Sequence, residues 1–163
     1  MGALVCFELT RQLRRHNERL PEHLLLSAFR APHLPNPNIR IHHLPDEVLK
    51  TVLAKEGTPR EILGNEDLMR LMLPVLRADL EVCDTYTYLP EPPLPIPLTT
   101  LGGRHDVRVG PEDLHAWNIH ARSGHEHHML PGSHMFIHES RDLVLTQVAS
   151  TITSIPQAEE MTV

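Results

Sequence analysis

The sequence predicts an α/β fold with a parallel sheet. Three apolar runs of strand length, at 23–28, 96–101 and 127–130, alternate with segments of helical period. A block of helical pieces at 45–89 is inserted between the first and second strands and reads as a cap over one end of the sheet. Two polar segments, Gly102-Gly103-Arg104-His105-Asp106 and Leu130-Pro131-Gly132-Ser133-His134, follow the second and third strands directly. They fall at the carboxyl ends of the strands, where open parallel sheets bind ligands.

Residues 2–16 read as a helix, with Val5, Leu9 and Leu13 at steps of four and Arg11, Arg14 and Arg15 toward the C-terminal end. Cys6, more than a turn in, is expected to face the core as a small hydrophobe. Pro21 breaks the connection, and Leu24-Leu25-Leu26 suits a strand buried on both faces. The Pro/Asn stretch 32–38 is a loop. In the inserted block, residues 45–56 place Val48, Leu49, Val52 and Leu53 on one face. Thr58-Pro59-Arg60-Glu61 has the form of a capping box with proline at the first helical position. Asn65 is expected to cap a longer helix carrying Leu68, Met69, Met72, Leu73, Leu76 and Leu80, kinked at Pro74.

The segment 90–97, Pro-Glu-Pro-Pro-Leu-Pro-Ile-Pro, reads as a stiff extended connector, although its overlapping P-x-x-P patterns also have the form of an SH3 ligand. A helix is expected at 111–121, a last helix from about 136 to 148, and a frayed tail over about 150–163. The 163 residues make one domain of ordinary size.

Composition narrows the function classes. A net charge of −6 supplies no basic footprint for nucleic acid or an anionic membrane surface. No run reaches the length of a membrane span, and Glu8 interrupts the first apolar stretch, so no signal peptide is read. Two cysteines, Cys6 and Cys83, form neither a disulfide framework nor a metal spacing, which suits a reducing cytoplasm.

Acyl transfer through a hydroxyl needs a nucleophile, an imidazole to take and return its proton, and a carboxylate to orient the imidazole. In α/β-hydrolases these occur in the order nucleophile at a strand-to-helix elbow, acid, histidine. This chain offers a helix start at Gly2, then Asp106, then His134.

The sequence resembles the type II (external) thioesterases of the α/β-hydrolase superfamily. The matching residues are Met1-Gly2-Ala3-Leu4-Val5 with Phe7-Glu8-Leu9, Ser27 with Ala31-Pro32, Gly57-Thr58-Pro59 and Leu76-Arg77-Ala78-Asp79. Gly103 with Asp106, Trp117, and Pro131-Gly132-Ser133-His134-Met135-Phe136 continue the match in the same order. The resemblance implies a partial α/β-hydrolase fold with a helical lid at about 45–89. It implies hydrolysis of acyl thioesters on the phosphopantetheine arm of acyl or peptidyl carrier proteins, for editing or release in nonribosomal peptide, polyketide or fatty acid synthesis. Asp106 is then the triad acid and His134 the triad base. Met69, Met72, Leu73 and Leu76 would line the acyl approach, with no metal or nucleotide cofactor, no nucleic acid and no membrane as partner.

Two departures accompany the resemblance. The family's Gly-His-Ser elbow would end immediately before Met1, so the nucleophile lies outside these residues. Met1 then holds the family position of an oxyanion-hole amide, impaired at a chain terminus. The 163 residues are therefore expected to be inactive alone, and poorly soluble because the strand at 23–28 is left as an apolar edge. Ser133 adjoins the base, and Ser27 lacks elbow glycines. Two competing readings remain. One is a non-catalytic module that binds a carrier protein or an intact homologue. The other is metal binding through His125-Glu126-His127-His128, against which strand alternation sends His128 to the opposite face.

Overall fold

The computed structural model describes residues 1–36, 40–55 and 57–155. Its centre is a three-stranded parallel sheet in the order β1-β2-β3, formed by Leu24–Ser27, Leu98–Gly103 and His125–Leu130. Helix α1 (Gly2–Arg15) precedes β1, and α2 (Asp46–Lys55), α3 (Arg60–Leu63) and α4 (Glu66–Thr85) form the insertion between β1 and β2. Helix α5 (Pro111–His115) runs into a 3-10 turn, Ala116–His120, before β3, and α6 (Phe136–Glu139) and α7 (Arg141–Ser154) follow it.

The strands divide their side chains between two cores. Leu24, Leu26 and Leu98 pack with Phe7 of α1, Leu94 and Trp117 on one face. Leu25 and Leu101 turn to the other, against Leu130, Phe136 and Val144. That alternation follows from the period of two along a strand. A third cluster, Ile41, Leu49, Met69 and Leu73, lies wholly within the helical insertion and its approach segment.

Several expectations are corrected. The first helix forms, but its buried face is Leu4, Phe7, Thr10 and Arg11, whereas Val5 and Leu9 are about half exposed and Cys6 is exposed. Arg11 can be buried because it is fully paired. Its guanidinium donates to Glu8 and to the Leu89 carbonyl, pairs with Glu91 at 2.8 Å, and lies over the Phe7 and Tyr88 rings. Arg14 joins through Glu91 at 2.6 Å and the Pro92 carbonyl at 2.6 Å. These bonds fasten the proline-rich segment to α1, and Leu94 within it is 1% exposed, so the segment is a packed connector.

Thr58 makes no cap: α3 starts at Arg60 with Pro59 in the N-cap position and no side-chain bond. Asn65 does cap α4, its Oδ1 accepting from the Leu68 N–H at 3.0 Å. The helix expected at 111–121 is α-helical only to His115, and the one expected at 136–148 is broken at Ser140. Helix α7 continues to Ser154, past the position where the tail was expected to begin, and 156–163 lie outside the described residues. So does part of the 32–38 loop. No helix among the described residues is long and apolar enough to cross a membrane.

Candidate active site

Strands β2 and β3 end side by side, and their following loops are stitched together. Arg104 N–H donates to the Leu130 carbonyl at 2.8 Å and His105 N–H to the Gly132 carbonyl at 2.9 Å. Two glycines make this possible. A Cβ on Gly103 would stand 2.1 Å from the Ser133 carbonyl oxygen, a contact no side chain tolerates. Gly132 turns the chain with φ at +115°, in the left-handed region.

This stitching brings Asp106 and His134 together from 28 residues apart, with His134 Nδ1 to Asp106 Oδ2 at 2.8 Å. The Asp106 side chain is fully buried, and its other oxygen accepts the main-chain N–H of Arg108 at 2.8 Å and of Val109 at 3.3 Å. Burial alone would raise its pKa. The hydrogen bonds from His134 and the two amides outweigh that, so the carboxyl sits below its ordinary range and is ionised at neutral pH. An ionised carboxylate only accepts, so Nδ1 of His134 carries the proton. The lone pair then falls on Nε2, which has no partner among the described residues, and His134 is about one-third exposed. The pair is thus set to accept a proton at Nε2 and hold the resulting imidazolium.

The loop carrying His134 is braced from behind by α6. Glu139 accepts the Ser133 main-chain N–H at 3.2 Å and its hydroxyl, and Ser140 Oγ donates to the Pro131 carbonyl at 2.7 Å. Glu139 is held below the usual carboxylate range by those Ser133 bonds. Ser133 is consequently engaged behind His134. Nothing in the sequence pattern marked Glu139, six residues away from its partner.

His134 opens on a cavity of about 280 Å³ between the sheet end and the helical insertion. Met1, Ala28, Phe29, Arg30 and Val109 line the sheet side. Leu53, Leu76, Asp79, Leu80, Cys83 and Asp84 line the other. Of the four lid residues read from the sequence, only Leu76 reaches the cavity. Met69 and Leu73 are buried within the insertion, and Met72 is 36% exposed at the surface. A helix with apolar residues on several rows does not reveal which row faces the sheet. Leu53, Asp79 and Asp84 were missed as site residues for the same reason. Asp84 is tied down, accepting from His42 Nδ1 at 2.8 Å and Ile41 N–H at 3.0 Å.

The histidine-rich stretch is occupied elsewhere. His125 bonds Thr100 Oγ1 at 3.0 Å and stacks on His127, while His128 lies 3.5 Å from Glu126. His120 is buried and shares a 2.8 Å nitrogen–nitrogen hydrogen bond with His33. Among the described residues, no three His, Cys, Asp or Glu side chains are grouped to hold a metal ion.

Comparison with known proteins agrees with this fold. A family model described as Thioesterase domain matches residues 1–155. The chain is 42% identical over 158 residues to the linear gramicidin dehydrogenase LgrE of Brevibacillus parabrevis, covering 94% of this chain and 60% of that protein. It is 37% identical to the gramicidin S biosynthesis protein GrsT of Aneurinibacillus migulanus, covering 86% and 56%. Among solved structures, the RedJ thioesterase from the prodiginine pathway of Streptomyces coelicolor superposes with a TM-score of 0.85 at 35% identity, covering 91% of this chain and 59% of that one. The type II thioesterase BorB from the borrelidin cluster gives 0.81 at 34%, covering 91% and 60%. The chain therefore spans about 60% of the length of these relatives. With residues 1–155 matched by the family model and the fold shared with RedJ at a TM-score of 0.85, the chain belongs to the thioesterase family of the α/β-hydrolase fold.

Proposed function

We propose that these residues carry the acid, the base and the lid of a thioester hydrolase. Its substrates are acyl groups on the phosphopantetheine arms of carrier proteins in nonribosomal peptide or polyketide synthesis, and its task is editing or release. The observation that carries this is the hydrogen bond between buried Asp106 and the part-exposed His134, which opens on the cavity beside Met1. In this reading His134 Nε2 takes the proton from an attacking serine hydroxyl as the thioester carbonyl becomes tetrahedral. It returns that proton to the departing thiolate, and repeats the exchange with water to free the acid. Asp106 holds the imidazole tautomer and balances the imidazolium. Leu76, with Leu53 and Leu80, forms the apolar wall beside the acyl group.

The nucleophile is the serine of the family's elbow, expected directly before Met1. The resemblance therefore gives Met1 the place of the oxyanion-hole amide. Among the described cavity residues, Cys83 alone bears a nucleophilic side chain, and it stands on α4, not on an elbow. We accordingly propose that the 163 residues alone turn over no thioester and bind the carrier-linked arm without cleaving it.

The test compares this chain with the polypeptide as it occurs in its host. Each is treated with a fluorophosphonate probe for activated serine and with an acyl-loaded carrier protein. Labelling and acyl release by the host protein, both lost in His134→Ala, with neither shown by the 163-residue chain, is the expected result. Release by the 163-residue chain itself would overturn the assignment of the nucleophile. A host protein that carries the elbow serine yet releases no acyl group would overturn the hydrolase reading.

A further inference from the structure

The cavity wall carries charge of both signs, and the acid–base pair uses none of these side chains. Arg30 and Arg108 stand there with Asp79 and Asp84, guanidiniums against carboxylates in equal number. Their formal charges cancel, so the wall suits a neutral occupant that brings donors and acceptors of its own.

Asp84 is the most constrained group in that wall. It stands near the C-terminal end of α4, and its side chain is only 8% exposed. Its Oδ2 takes three donors: His42 Nδ1 at 2.8 Å and the main-chain N–H groups of Ile41 at 3.0 Å and His42 at 3.4 Å. Burial works to raise its pKa, but the bonds from His42 and the two amides outweigh it, so the carboxyl sits below its ordinary range. The other oxygen, Oδ1, has no partner among the described residues. No side-chain polar atom among them is both fully buried and unpaired, so Oδ1 is open to the space Asp84 borders, the cavity. Arg30 is near enough for its charge and that of Asp84 to act on one another. It donates from Nη1 to Asn36 Oδ1, and the rest of its fork makes no hydrogen bond among the described residues.

An unpaired acceptor near unpaired donors is costly to desolvate unless an occupant answers both. A secondary amide does so without net charge, giving its N–H and receiving at its carbonyl. In the thioester reading every substrate carries one, because the pantetheine arm has an amide joined to its sulfur through an ethylene link. A thioester carbonyl set at His134 brings that amide into the same small cavity, about 280 Å³. Cargo varies from substrate to substrate, and this amide does not.

We infer that, given the thioester reading above, Asp84 and Arg30 are specificity-determining residues that read the arm and not its cargo. Asp84 Oδ1 accepts the N–H of the amide nearest the sulfur, and Arg30 donates to that amide's carbonyl. Held at both ends, the amide fixes the thioester carbonyl against His134. A thioester lacking the N–H leaves the carboxylate oxygen facing a lone pair, a mismatch that such sites reject.

The experiment compares S-acetylpantetheine with the analogue in which an ester oxygen replaces the N–H nearest the sulfur. The enzyme is the polypeptide as it occurs in its host. Released thiol is the readout, so cleavage at the analogue's oxygen ester is not counted. In the parent, kcat/KM for the amide should exceed that for the ester roughly tenfold or more. Asp84→Asn keeps an acceptor for the Ile41 and His42 amides and should bring the two substrates within about twofold of each other. Arg30→Met should slow both alike, since both keep the carbonyl, and leave their ratio at the parent value. A merely structural role for Asp84 would slow both substrates in Asp84→Asn with the ratio unchanged, and that result overturns the inference. Equal rates in the parent, or Arg30→Met rates equal to the parent's, also overturn it and leave the hydrolase reading standing. Turnover of neither thioester overturns the hydrolase reading, and the inference falls with it.

Discussion

Asp106 shows how a single side chain can be both costly and indispensable. A fully buried carboxylate is tolerable only because three donors meet it, and one of those donors is the imidazole it orients. Asp106→Asn keeps an acceptor for the Arg108 and Val109 amides but can no longer impose the Nδ1–H tautomer. In the host protein with its serine present, kcat should fall on the order of 10³–10⁴ with KM little changed, as for the equivalent change in serine proteases. Steady-state hydrolysis of a carrier-linked acyl group checks this, and a loss under tenfold would argue against the tautomer role. At this scale the sequence was most legible. An acid and a histidine placed just past strand ends, in the order the chemistry needs, are constrained by the reaction as well as by packing. Arg11 was illegible because its burial depends on Glu91, Leu89 and Tyr88, all far along the chain. An arginine on a helix reads as surface unless such partners are known.

Among elements, the joined ends of β2 and β3 and the brace from α6 decide whether the pair forms. Gly103→Ala drives a methyl group into the Ser133 carbonyl, so the His134 loop must leave the end of β2. The expected result is a loss of about 1–3 kcal/mol in denaturant unfolding, together with loss of the hydrogen-bonded imidazole N–H signal in proton NMR. An unchanged NMR signal would show that the loops can separate without disturbing the pair. Glu139→Gln is the milder probe, since a neutral amide accepts more weakly from the Ser133 N–H and hydroxyl. It should shorten the lifetime of the same N–H signal against exchange while leaving the denaturant midpoint close to the parent's. Neither device was visible beforehand. The element positions were foreseen to within a few residues, yet α1 presented Leu4, Phe7, Thr10 and Arg11 inward, not the apolar Val5–Leu9–Leu13 row. Apolar spacing announces that a helix exists. Which row is buried depends on the aromatic partner waiting for it, here Trp117, 5.1 Å from the Phe7 ring.

For the molecule as a whole, the buried histidines set an acid limit. Burial, with His33 and Arg11 nearby, lowers His120 to about 4, and burial beside His127 and His115 lowers His125 to about 4. Both are bases kept neutral in the fold, while an unfolded histidine takes up a proton near pH 6.5. The unfolded state therefore binds more protons throughout the interval between those values, so stability rises with pH across it and is lost as the pH drops. Above pH 6.5 neither state is protonated and the effect vanishes. By linkage, His120 alone should remove about 2 kcal/mol between pH 7.5 and pH 5. Glu91, burdened by burial but held at about 2 by Arg15, Arg11 and Arg14, adds a second loss only below pH 4.5. The two regimes can be separated with one variant. His120→Gln should lower stability at pH 7.5, because the bond to His33 and the packing against Phe7 and Trp117 are disturbed. It should also flatten the dependence between pH 7.5 and pH 5, leaving the steep fall below pH 4.5 intact. Urea midpoints measured at those pH values decide the matter. If the variant kept the parent's full slope above pH 5, the acid sensitivity would belong to His125 and the other strand-end histidines, and the His33–His120 pair would be a packing contact without a role in it.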